Sequence, residues 1–103
     1  IRDRHAIESF RLKGDPYINW PLIQDEIRSM SRWVIITATD NYIHMECKSR
    51  IFRFVDDLEL YLNSSNGIIS IRSASRVGYW DFGANRRRVE FLRSGLRTEQ
   101  LIE

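Results

Sequence analysis

The sequence predicts an α+β fold: a helix, a four-stranded antiparallel sheet built from two hairpins, and a second helix. Three observations carry this reading. Two stretches alternate apolar and polar residues on either side of turn-forming residues, at 33–48 and 58–72. An amphipathic stretch with helical spacing precedes them, and another follows. One apolar sheet face and two one-sided helices are satisfied together when both helices pack on that face.

Length sets the scale. At 103 residues the chain suits a single domain. The first 15 residues carry little patterning, and the core domain is expected over 16–97. Hydrophobic residues make up 43% and charged residues 29%, a globular balance rather than a disordered one. No run approaches the roughly 20 apolar residues of a transmembrane helix, so no such span is expected. The lone Cys47 excludes an intrachain disulfide and a cysteine-based zinc site.

The first helix is expected over 20–31. Asn19 reads as its cap and Pro21 as a first-turn residue, while Gly14, Asp15 and Pro16 read as a turn. Leu22, Ile23, Ile27 and Met30 define its apolar face.

The first hairpin folds on Asp40-Asn41. Its expected register opposes Ala38 to Ile43, Ile36 to Met45 and Val34 to Cys47 on the buried face. Thr39 then faces Tyr42, Thr37 faces His44, Ile35 faces Glu46 and Trp33 faces Lys48. The second hairpin turns at 64–67, opposing Leu62 to Ile69, Leu60 to Ile71 and, on the other face, Glu59 to Arg72. Between the hairpins, 51–54 reads as strand-like and 55–57 as a turn. The final helix is expected over 84–93, started near Asp81 or Gly83 and ended or frayed by Gly95. Val89, Leu92 and Leu96 form its apolar stripe, with Phe91 beside it.

Charge is concentrated near the end. The net charge is only +2, yet 72–97 holds seven arginines against Asp81 and Glu90. Arginine forms a planar, bidentate fork for carboxylates and phosphates. Arg72, Ser73, Ser75 and Arg76 leave the last strand for a loop with Gly78, Tyr79, Trp80 and Gly83. That loop delivers the chain to a helix start bearing Asn85, Arg86 and Arg87, where unpaired N–H groups favour anions. A carboxylate or phosphate ligand fits this chemistry. The competing reading pairs the arginines with Asp56, Asp57, Glu59 and Asp81 as a structural network. Tyr79, Trp80 and Phe82 either plug the end of the core or offer a contact surface.

Other chemistries are weaker. Asp56-Asp57 as a metal site conflicts with the opposite directions of adjacent side chains in an extended chain. His44 reads as a half-exposed strand residue, and His5 lies in the poorly patterned start. Neither a nucleophile motif nor a nucleic-acid motif matches, despite a pI of about 9.0. No metal or other cofactor is expected, and nucleic acid is disfavoured as a partner.

Three segments carry a resemblance: 40–44 (DNYIH), 49–59 (SRIFRFVDDLE) and 72–90 (RSASRVGYWDFGANRRRVE). From about Pro16 to Leu96 the chain resembles domain-of-unknown-function family 1499, found in bacteria and plastid-bearing eukaryotes. The Pro-Asn-Cys-Val-type segment often seen near the start of that family is not present. The resemblance implies a bacterial envelope or a plastid and thylakoid setting, and it implies no activity.

Together these readings favour a non-enzymatic binding or accessory domain, a partner of a membrane-associated complex. It would contact a protein or a small anion through Arg72, Ser73, Ser75, Arg76, Tyr79, Trp80, Asp81, Asn85, Arg86 and Arg87, with Asp56, Asp57 and Glu59 in support. The alternative is a small hydrolase or transferase using Asp56, Asp57 or Asp81 with arginine clamps.

Overall fold

A computed structural model describes residues 7–48, 55–75 and 82–103, and for 75 and 82–85 the backbone alone. Five strands form one antiparallel sheet: β1 (Phe10–Arg11), β2 (Trp33–Ala38), β3 (Tyr42–Lys48), β4 (Val55–Asn63) and β5 (Ile68–Ser75). Two helices accompany it among the described residues, α1 (Pro16–Ser29) and α2 (Phe82–Thr98). The sheet order is β1-β5-β4-β3-β2, so the two hairpins lie side by side and a short strand is added outside β5.

The fifth strand is the main departure from expectation. It lies in the stretch that shows little sequence pattern. Phe10 opposes Ile69 and is buried, and the guanidinium of Arg93 stacks 4.8 Å above its ring. Arg93 also donates to the carbonyls of Glu8 and Ser9 and pairs with Glu90. On the other side, Leu12 bridges Ile102, and the Glu103 N–H donates to the Arg11 carbonyl. One buried arginine and the chain's last residues thus hold β1 in place.

The second hairpin forms in the expected register, with Leu62 opposite Ile69, Leu60 opposite Ile71 and Glu59 opposite Arg72. Residues 55–57 do not turn. They begin β4, because alternation continues through them: Asp56 and Leu58 face inward, Asp57 and Glu59 outward.

The first hairpin keeps its expected register only near the turn, where Ala38 opposes Ile43 and Thr37 opposes His44. A bulge then shifts the pairing by one residue, so Ile35 opposes Met45, Val34 opposes Glu46 and Trp33 opposes Cys47. Trp33 and Ile35 therefore take the core side, while Val34 and Ile36 are 64% and 50% exposed. The bulge exchanges Val34 and Ile36 for Ile35 and an indole whose ring lies 6.3 Å from that of Phe91.

Helix α1 starts four residues earlier than expected. Asp15, not Asn19, is the cap; its carboxylate accepts from the Tyr17 N–H, and Pro16 takes the first-turn position. Pro21 lies inside the helix, and the buried face is Trp20, Ile23 and Ile27, with Leu22 exposed. The Trp20 indole N–H donates to the Thr39 carbonyl, tying α1 to the first hairpin turn. Helix α2 runs through Gly95 to Thr98 rather than ending near it. A Cβ at Gly95 would lie 2.6 Å from the Met30 methyl, so the glycine marks a close approach to the end of α1.

Trp20, Ile23 and Ile27 of α1 share one core cluster with Val89, Leu92 and Leu96 of α2 and the inward residues of the sheet. Both helices thus cover the same face, as expected, and no described helix covers the other, open face. No helix among the described residues is long and apolar enough to cross a membrane.

Candidate functional site

The inward face changes character toward one end. The innermost row is apolar, Ala38, Ile43, Leu60 and Ile71; the next holds Ile35, Met45 and Leu58 with Ser73 on β5. The next row out reads Trp33, Cys47 and Asp56 across β2 to β4. Asp56 is 7% exposed, and a buried carboxylate needs a partner. Arg88 of α2 supplies it through an ion pair with the Asp56 Oδ2.

Above this end of the core is a cleft of about 350 Å³, lined by Arg32, Trp33, Arg87, Arg88 and Phe91. Arg32 precedes β2, and its guanidinium lies 5.7 Å from the Phe91 ring centre. Arg87 and Phe91 sit one turn apart on α2, which puts both on the same edge of the helix. Trp33 is 5% exposed, and its indole N–H has no hydrogen-bond partner among the described residues. The cleft is therefore a concave site with two aromatic rings and three guanidinium groups, one of them held by Asp56.

The open face carries a separate network. The Tyr42 hydroxyl donates to the Glu59 carboxylate at 2.6 Å, and Arg72 pairs with the same carboxylate at 2.6 Å. The Tyr42 bond, reinforced by Arg72, holds the Glu59 carboxyl below its ordinary range despite partial desolvation. In return, that carboxylate pushes the Tyr42 hydroxyl up to about 12. Burial, with the nearby Glu59 charge, raises Tyr61 as well. His44 Nε2 lies 2.8 Å from Asp57 Oδ1, and Glu46 completes a half-buried His44–Glu46–Asp57 group with ligating atoms within 4.8 Å of one another.

The structure divides the predicted residues between two faces. Arg72, Asp57 and Glu59 belong to the open face. Ser73 and Asp56 face inward, with Ser73 opposite Leu58 and Ser75 opposite Asp56. Arg87 lines the cleft, and Arg86 is exposed beside it on α2. Arg76, Tyr79, Trp80 and Asp81 lie outside the described residues, as does the Asn85 side chain. Asp56 and Asp57 point to opposite faces, so they do not act as a carboxylate pair.

Arg32, Trp33, Arg88 and Phe91 were not singled out as site residues by sequence. The usable signal was the Arg32-Trp33 dipeptide, a cation beside a large aromatic at a strand start. The expected register hid it by sending Trp33 outward.

One protein-family model, described as a protein of unknown function (DUF1499), matches residues 2–96. Comparisons with curated proteins and with solved structures give no match.

Proposed function

The chain belongs to the DUF1499 family, and we propose that it is a binding domain whose basic, aromatic-lined cleft receives an anionic group. The convergence of Arg32, Arg87 and Arg88 on one concavity with Trp33 and Phe91 carries this reading. Guanidinium groups clustered around an aromatic-walled cleft favour a carboxylate or phosphate over a cation or a neutral polar group. In this proposal the chain is an accessory subunit or partner of a membrane-associated complex in a bacterial envelope or a thylakoid. It engages that complex, or a small anion, through the arginine-rich region that ends at the cleft.

A hydrolase or transferase built on Asp56 or Asp57 is less well served. Asp56 is already paired with Arg88, and Asp57 bonds His44 on the other side of the sheet.

The test is retention by the immobilised chain of components from the membrane fraction of its own source. Arg32→Gln with Arg87→Gln, circular dichroism unchanged, is expected to abolish salt-sensitive retention. Equal retention by the double variant overturns the proposal.

A further inference from the structure

We infer that the cleft takes a small oxyanion carried on a flat aromatic ring, an aryl phosphate or aryl carboxylate. This rests on the reading of the cleft as an anion site and adds the identity of the body behind the charge.

The polar part of the lining sets the head group. Arg32, Arg87 and Arg88 present only donors, because a guanidinium has no acceptor. Trp33 adds an indole N–H, also donor only. The adjacent Asp56 carboxylate is already engaged by Arg88. A ligand matching this wall must therefore bring acceptors. A carboxylate or phosphate does so, whereas an amine brings only donors.

The buried indole N–H is the independent observation. Trp33 is 5% exposed, lines the cleft, and its Nε1 lacks a partner among the described residues. Buried donors are almost always satisfied, since an unmade bond costs the full desolvation of the group. No described residue supplies an acceptor for this one, and an oxyanion entering the cleft would.

The apolar part sets the body. Phe91 stays 52% exposed, although a large aromatic on an amphipathic helix usually buries its face. Its ring and that of Trp33 are tilted 54° to each other, two flat walls at the same cleft. Inorganic phosphate would leave the exposed Phe91 face wet, whereas an aromatic ring would cover it. The volume of about 350 Å³ is near the lower end for ligand sites. It suits one ring with its head group rather than a nucleotide or a lipid tail.

The experiment is isothermal titration of the full chain with phenyl phosphate, benzoate, inorganic phosphate and phenol at low ionic strength. Phenyl phosphate or benzoate is expected to bind about tenfold more tightly than inorganic phosphate, with phenol undetectable. Trp33→Phe keeps a ring and deletes the donor; it is expected to weaken the aryl anion about tenfold while the melting temperature holds. Phe91→Ala alters a half-exposed residue and should fold. It is expected to abolish the aryl preference while preserving inorganic phosphate binding.

Aryl anions that bind no better than inorganic phosphate overturn the aryl class and leave the anion site standing. Absence of binding by every anion overturns both readings. Wild-type affinity in Trp33→Phe overturns the role given to the indole N–H.

Discussion

Arg88 of α2 holds Asp56 of β4 in an ion pair at the end of the hydrophobic layer, with side chains only 16% and 11% exposed. It links the helix to the sheet where the apolar rows give way to Trp33, Cys47 and Asp56. Removing one partner strands the other charge in a desolvated place, which typically costs about 3–5 kcal/mol. Asp56→Ala and Arg88→Ala are each expected to destabilise by about 3 kcal/mol in urea unfolding. The double variant is expected to lose less than the sum, because no charge is left unpaired. Additive losses would show that the pair is not coupled.

The open-face network predicts loss of stability at both ends of the pH scale. Glu59 has a lowered folded-state pKa, so its contribution is present above the ordinary carboxyl range and is lost as pH falls through the folded value. Tyr42 is raised from 10.0 to about 12, so its contribution is full below pH 10 and is lost as pH rises through 12. Tyr42→Phe is expected to flatten the alkaline loss and to reduce the acid-side one. Unfolding free energies measured across pH check both signs. An unchanged alkaline limb in Tyr42→Phe would assign that loss elsewhere.

Asp15 predicts a local effect. Its carboxylate satisfies the Tyr17 N–H at the start of α1, and replacing such a cap by alanine costs about 0.5–2 kcal/mol. Asp15→Ala is expected to lower stability by about 1 kcal/mol. Asn19→Ala tests the position that the sequence favours as cap, and it leaves this bond intact. A larger loss in Asn19→Ala than in Asp15→Ala contradicts the assignment.

Arg93 predicts a change in dynamics more than in helix content. It reaches the carbonyls of Glu8 and Ser9 and covers Phe10, so it links α2 to the added strand. Arg93→Met keeps much of the apolar stem and removes the donors. Amide exchange is expected to accelerate at Leu12, whose N–H donates to the Gly67 carbonyl, with the β3–β4 amides still protected. Uniform acceleration across the sheet would mean that β1 opens only with the whole fold.

Legibility followed the contrast between neighbouring residues. In the second hairpin, Leu58, Leu60 and Leu62 alternate with Glu59, Tyr61 and Asn63, so only one register buries the leucines. Trp33, Val34, Ile35 and Ile36 are all apolar, and both phases of that strand offer a hydrophobic face. Alternation cannot choose between them, so the bulge stayed invisible. The same holds in α1, where Trp20, Pro21, Leu22 and Ile23 leave the buried face ambiguous.

Periodicity and turn chemistry in the sequence by themselves determined the α+β order, both hairpins, the second register and the apolar stripe of α2. They also pointed to an arginine-rich region, because charge density is a linear property. Which arginines meet is not linear. Tertiary structure alone decided that Arg72 faces Glu59 on the open side while Arg87 and Arg88 join Arg32, Trp33 and Phe91 at the cleft. The physical reason is twofold. Alternation sends adjacent strand residues to opposite faces. The bulge between Ile35 and Thr37 then sets which residues of β2 turn inward.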